Sequence, residues 1–255
     1  MIRSLTLMLL CIIALIGGAA ISPPASWLAK IVEIQTKGQV ILGDPSGSFW
    51  KGSAIIGKRD NQKNTSKAIF PGRLFWTMSP SVLIGKIAIT ISNDSILSQP
   101  LVLTGWWNSY QLQETRVNLP SEKLTVFGAP FNTIRPSGKL SLHWKDIIII
   151  FGNSLPKIYG KMTLSLDNIV TELSSIRPLG SYVMSFVLNG DIGELELSTK
   201  NGALHLTGFG EIEGGQVKFS GYAKAVDKKK ELRNLMNLLG QWKTVNGDEV
   251  VQLVF

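Results

Sequence analysis

Apolar and polar residues alternate with a period of two through most of this chain, and this pattern limits its fold more than any other feature. The alternation is clearest at residues 87–92, 140–145, 161–166, 184–189 and 194–198. Successive side chains of a β-strand point to opposite faces of the sheet, so each stretch has one apolar and one polar face. Glycines and prolines separate the stretches at turn spacing. The pattern predicts an all-β fold with a large, curved antiparallel sheet, which is either an open groove or closed like a sandwich.

One short helix is predicted near the carboxyl end. Asp227 is a suitable amino-terminal cap, and Gly240 stands where a glycine often ends a helix. Between them lies an apolar stripe at helical spacing, formed by Leu232, Leu235, Met236 and Leu239. We expect this stripe to pack on the sheet rather than to bind a partner. The sequence Asn-Gly-Asp at 246–248 then predicts a hairpin that joins the last two strands.

The amino-terminal segment from Ser4 to Ile21 has eighteen residues and no charge, with Leu10 and Ile16 in its interior. As a helix it would be about 27 Å long, which is close to the hydrocarbon thickness of a bilayer, about 30 Å. The prolines at 23–24 would end that helix. Residues 1–24 are therefore predicted to be a membrane anchor surrounded by lipid, and residues 25–255 to be one exported β domain.

A cleaved secretory signal fits the same residues almost as well. In that reading Arg3 is the basic region, and Gly17-Gly18-Ala19-Ala20 is the small-residue cleavage site. A buried helix inside the fold is the third alternative. The first two place residues 25–255 outside the cytoplasm, and Lys30 and Lys37 support that orientation only weakly.

The seven tryptophans divide into two predicted groups. Trp27 follows the two prolines, where an indole would anchor the chain at the membrane interface. The other six are expected in the core because they fall in strand patterns: Trp50, Trp76, Trp106, Trp107, Trp144 and Trp242.

The net charge of +8 is spread along the chain, with one run at Lys228-Lys229-Lys230. Nucleic-acid binding is not predicted, because such proteins gather their positive charge on one surface. Anionic lipid head groups or acidic protein partners are the expected counter-charges. The only cysteine, Cys11, lies in the apolar segment, so the exported part has no disulfide.

No motif indicates catalysis, a cofactor or a metal. Residues 52–59 resemble a phosphate-binding loop, but Arg59 replaces the serine or threonine that would hold magnesium, so no nucleotide site is predicted. His143 and His205 are the only histidines and stand on polar strand faces without metal-ligand spacing. No nucleophile elbow is present. The chain is therefore predicted not to be an enzyme, with no catalytic, cofactor-binding or metal-ligating residues.

Six short segments run in order through nearly the whole chain: PASWLA at 24–29, GSFWKGSA at 47–54, RLFWTMSP at 73–80, PLGSY at 178–182, TKNGALHLTGFG at 199–210 and LLG at 238–240. Together these segments resemble the family of type II secretion system protein N. One departure is Gly202-Ala203-Leu204, where the family more usually has Gly-Pro-Leu.

The resemblance implies a single-pass protein of the cell inner membrane with its carboxyl-terminal domain in the periplasm. It implies an accessory role in the machinery that exports folded proteins across the outer membrane. The implied partners are other inner-membrane or periplasmic components of that machinery, and the family is not known for catalysis.

Two modes of action remain open from the sequence. In the first, the protein is a scaffold, and a partner docks on an exposed strand edge. In the second, it is a periplasmic lipid-handling protein whose sheet forms an apolar groove for acyl chains. Both would produce the same period-two pattern.

Overall fold

The computed structural model describes residues 22–60, 65–120, 135–152, 155–245 and 247–254. The predicted anchor residues Ser4, Leu10, Ile16 and Ile21 lie outside them. Within the described ranges, no helix is both long enough and apolar enough for a bilayer crossing. The chain divides into two compact units, Met1–Ser95 and Ile96–Phe255.

The first unit combines one helix with a small antiparallel sheet. Its elements are α1 (Ala25–Gln35), β1 (Val40–Gly47), β2 (Lys51–Asp60), β3 (Thr65–Ala68), β4 (Leu74–Met78), a 3₁₀ helix (Pro80–Ile84) and β5 (Lys86–Ser92). The strand order is β1-β2-β4-β5, and β3 also pairs with β2. Ala25, Ala54 and Trp76 form the buried centre. The Trp76 indole donates to the carbonyl oxygen of Phe49 at 2.9 Å, which satisfies its polar atom inside the core.

The second unit contains the large antiparallel sheet that the alternation predicts. Its elements are β6 (Leu101–Trp106), β7 (Ser109–Leu112), β8 (Thr115–Pro120), β9 (Ser137–Ile150), β10 (Lys157–Val170), β11 (Gly180–Gly190), β12 (Ile192–Gly202), β13 (Leu204–Glu213), β14 (Gln216–Ala225), α2 (Lys229–Leu239), β15 (Gln241–Val245) and β16 (Asp248–Val254). The order is β6-β7-β9-β10-β11-β12-β13-β14-β16-β15, and β8 also pairs with β9. The predicted all-β class and the short carboxyl-terminal helix are confirmed.

The register of this sheet aligns the apolar positions of neighbouring strands. One row across β9 to β12 is Trp144, Met162, Phe186 and Leu195. The adjacent residues form a polar row on the opposite face: His143, Thr163, Ser185 and Glu196. A slip of one residue in any strand would move its apolar set to the polar face, so burial of one face fixes the pairing.

Helix α2 covers the apolar face beside β14 and β16. Leu232, Leu235 and Met236 are buried with Val251 of β16 in the main core. Each such side chain contributes about 2 kcal/mol when it leaves water. The predicted packing of the stripe on the sheet is therefore confirmed.

The ends of α2 differ from the sequence prediction. The helix begins at Lys229, and its cap position is Lys228, which makes no side-chain cap hydrogen bond. Asp227 accepts instead from the backbone amide of Lys228 at 2.8 Å, one residue too early to cap the helix. Gly240 does follow the helix, but in an extended conformation. Glycine suits this position because a Cβ would overlap the carbonyl oxygen of Gln252.

A glycine pair brings β11 and the end of β12 close together. Gly180 pairs with Gly202, which has φ of +127°, and a Cβ on Gly202 would overlap the backbone of residues 179 and 180. Beside the pair, the buried Tyr182 hydroxyl donates to the carbonyl oxygen of Leu204 at 3.0 Å. Burial raises the pKa of Tyr182 well above its ordinary value, so it stays a neutral donor.

Candidate docking site

The outer edge of β15, which we call the docking edge, ends the strand order of the second unit. Among the described strands, β15 pairs only with β16. Its residues 241–244 are exposed. In an antiparallel pair every second residue turns its backbone N–H and C=O away from the partner strand. The docking edge therefore offers backbone donors and acceptors to an added strand.

The strand that begins the order of the first unit, β1, is a poorer edge. It contains Pro45, which has no N–H to donate. Its register shifts between Gly43 and Ser46, and Asp44 has a positive φ. Arg73 holds this irregular stretch through an ion pair with Asp44 at 2.6 Å. These features interrupt regular pairing, so β15 is the better docking strand.

A cleft of about 470 Å³ lies beside β15, where α2, the end of β14 and the β15–β16 hairpin meet. We call it the basic cleft because its lining includes Lys229, Lys230, Arg233 and Lys243, against one carboxylate, Glu249. Within the described residues, none of the four cations forms an ion pair. Their summed field favours an anion.

Trp242 forms one wall of the basic cleft and is 40% exposed. Its indole N–H donates to the Asn237 side-chain oxygen at 2.6 Å, and the Arg233 guanidinium lies 6.0 Å from the ring centroid. Both partners belong to α2. These contacts hold β15 against the helix, so the position of the docking edge relative to the basic cleft is fixed.

An ion pair also holds the β15–β16 hairpin against β14. Lys224 of β14 lies 2.5 Å from Asp248, the first residue of β16. The Lys224 hydrogen bond is the main cause of a lowered Asp248 pKa, the Lys224 charge adds to it, and the Lys229 charge makes a smaller contribution. Asp248 therefore stays ionised, and Lys224 is engaged outside the basic cleft.

The predicted core role is wrong for three tryptophans. Trp76 and Trp144 are buried as expected, but Trp106, Trp107 and Trp242 are 50%, 68% and 40% exposed. Trp106 ends β6 and Trp107 lies in the following turn, while Trp242 is on the last strand. An alternating pattern does not show where a strand ends or whether it lies at the edge of the sheet. No other layer of the protein covers these three tryptophans in the part of the chain that the structure describes.

The remaining sequence candidates occupy separate places. Trp27 is on the first turn of α1 with 58% of its surface exposed, and its interfacial role stays a prediction. His143 contacts Glu114 at 3.1 Å on the polar face, and His205 pairs with Lys224 across β13 and β14. No three His, Cys, Asp or Glu side chains converge in the part of the chain that the structure describes.

The phosphate-loop likeness at residues 52–59 is a strand in the structure. These residues belong to β2, and most of them pair with β1, with Lys58 opposite Val40.

The carboxylates Glu194 and Glu211 are neighbours on β12 and β13. They project from one face of the sheet, whereas a glycosidase places its two carboxylates on either side of the scissile bond.

An apolar groove finds no support where α2 lies on the sheet. The groove hypothesis requires an apolar face open to acyl chains. Beside β14 and β16 that face is filled by Leu232, Leu235, Met236 and Val251, all at most 2% exposed. This region is a packed core built from the protein's own side chains.

Sequence reasoning missed the basic cleft as a site, although it noted the lysine run from 228 to 230. Lys229 and Lys243 line the same cleft because β15 folds back beside α2. The one available signal was that Trp242 and Lys243 follow a helix whose first turn holds Lys229 and Lys230. That combination is common on protein surfaces, so it did not stand out.

The described residues thus define a β-sheet protein whose strand β15 pairs on one side only and borders a basic cleft. The family model for type II secretion system (T2SS), protein N, matches residues 24–248. This chain belongs to that family, so it is a component of the type II secretion system, and the resemblance seen in its motifs is confirmed. The comparisons with curated proteins and with solved structures gave no match.

Proposed function

We propose that this protein is a non-enzymatic accessory scaffold of the type II secretion machinery that assists export of folded proteins across the outer membrane. Its sheet-rich part would lie in the periplasm, held at the inner membrane by the segment from Ser4 to Ile21. The observation that carries the proposal is the exposed docking edge of β15 in a chain of this family.

The scaffold would act by strand addition. An extended segment of another secretion component pairs its backbone with β15, and side chains on alternate positions select the partner. The contacts of Trp242 with α2 hold the edge in place before the partner arrives. A fixed edge loses less conformational entropy on binding, which favours association.

Site-specific photocrosslinking in secreting cells tests the docking edge. A photoreactive residue at Gln241 or Thr244 of the full chain should give an adduct with another secretion component. The matched control is Lys161, an exposed position on β10 away from this edge. Adducts of equal yield from β10, or none from β15, would contradict docking at β15.

The secretion role has its own test. Cells that lack this protein should retain folded substrates in the periplasm, and the intact gene should restore their release. Unchanged release in its absence would refute the accessory role, whatever binds at β15.

The membrane placement is tested by fractionation of the full chain. Leu10→Arg with Ile16→Arg should release the protein from the membrane fraction, because each arginine costs about 2.5–3.5 kcal/mol in a spanning helix. Leu10→Ala with Ile16→Ala should leave it there. Membrane association unaffected by the arginines would rule out the anchor.

A further inference from the structure

The basic cleft has a charge pattern that helix stability does not explain. Lys229 and Lys230 occupy the first turn of α2, with Glu231 as the only acidic residue there. The amino end of a helix carries partial positive charge, so lysines at this position oppose helix formation. Arg233 and Lys243 add to the same field. Positive charges that destabilise the helix carrying them are expected where they bind a ligand.

The cleft also supplies apolar contact and backbone pairing. Met236 and Trp242 contribute apolar surface to its lining. Thr244 of β15 lines it too, so the strand that carries the docking edge forms part of the cleft wall. A small anion needs only the cations, whereas an extended peptide would use the cations, the apolar surface and the edge together.

We propose that the basic cleft and the docking edge bind an extended acidic segment of a partner protein, added to the sheet as a strand outside β15. The proposal rests on the scaffold function and names the chemistry of its partner. Side chains of a strand alternate between faces, so every second residue of the segment faces α2. The partner should therefore carry carboxylates at alternate positions, which meet the lysines and Arg233.

Fluorescence anisotropy with the full-length chain tests this chemistry. The probe is a short labelled peptide that alternates glutamate with valine, and its matched control alternates lysine with valine. The acidic peptide should bind at least about tenfold more tightly than the basic one, and added salt should weaken it, because the pairing is electrostatic.

Lys229→Glu with Lys230→Glu is the informative variant. Glutamate suits the first turn of a helix, so α2 should keep or gain stability while binding of the acidic peptide falls about tenfold or more. The control is Lys145→Glu with Lys161→Glu, exposed lysines on β9 and β10 that give the same change in net charge. It should alter binding by less than about twofold.

Strand addition is tested separately by N-methylating alternate amides of the acidic peptide. This peptide keeps its charge but cannot pair with β15, so its binding should be lost. Equal binding of the two peptides, full binding to the Lys229/Lys230 variant, or full binding of the methylated peptide would each overturn the proposal. So would binding of phosphatidylglycerol vesicles through these lysines without binding of the acidic peptide.

The outcomes separate this inference from the scaffold function. If β15 crosslinks to a secretion component and the Lys229/Lys230 variant gives the same adduct, only the acidic-segment chemistry fails. If loss of the protein leaves secretion unchanged, the scaffold function fails even where the peptide binds.

Discussion

Replacement of Leu235 by alanine probes the packing that holds α2, and with it the basic cleft, on the sheet. Leu235 is 2% exposed in the main core. Leu238 is on the same helix and is 62% exposed. Both substitutions change helix propensity by the same amount, so their difference isolates the burial of Leu235.

The expected magnitude follows from the buried carbons. Leucine to alanine removes three carbons, and at about 0.8 kcal/mol for each the transfer loss is about 2.4 kcal/mol. The cavity left in a packed core raises the total to about 3–4 kcal/mol. Leu238→Ala should cost at most about 0.5 kcal/mol because its side chain is already in water.

Urea unfolding of the full-length variants measures the free-energy difference from the midpoint and slope of the transition. Amide hydrogen exchange in α2 reports the local opening of the helix. We expect Leu235→Ala to lower both the free energy of unfolding and the exchange protection of α2. It should also weaken binding at the basic cleft, because Lys229, Lys230 and Arg233 lie on the same helix.

Equal effects of the two alanines would refute this reasoning. It would mean that α2 gains no stability from its contact with the sheet. The fixed arrangement of docking edge and basic cleft would then have no structural basis. Normal exchange protection of α2 in Leu235→Ala would point to the same conclusion.

Three further predictions use single positions. Gly202→Ala should lower the free energy of unfolding, followed by thermal unfolding, by at least about 2 kcal/mol, because its φ of +127° and the close backbone disfavour a side chain. Gly152→Ala is the control, because no atom of the described residues lies within 4 Å of the added Cβ. Tyr182→Phe should cost about 1 kcal/mol by urea unfolding, since it removes a buried hydrogen bond. Asp248→Asn should lower the unfolding temperature at neutral pH. Its folded pKa lies below the ordinary 3.8, so the difference from the wild type should persist above about pH 4 and close as the pH falls further. A difference that grows in acid would have the wrong sign.

Local patterns predicted the strands and the helix well. The alternation at residues 140–145 and 161–166 falls in β9 and β10, where the register pairs Trp144 with Met162. The stripe of α2 lies in the core as predicted. These signals succeed because period and burial are linked within one element, without reference to distant residues.

Predictions that depended on neighbours were less accurate. Asp227 was expected to cap α2, but Lys228 occupies the cap position in a left-handed conformation, so the helix begins at Lys229, one residue later than predicted. Trp242 was expected in the core, but β15 lies at the end of the strand order and leaves it 40% exposed. Exposure depends on which strand lies beside another, and a strand pattern does not contain that information.

The sheet-rich class, the helix that packs on the sheet and membership in the type II secretion system protein N family can all be read from the amino-acid sequence. The place of β15 at the end of the strand order cannot, nor can the cleft in which its Trp242 and Lys243 join Lys229, Lys230 and Arg233. The difference lies in the sequence distance over which each feature forms. Periodicity and capping act over a few residues, whereas a strand edge and a charged cleft exist only after segments distant in sequence have packed together.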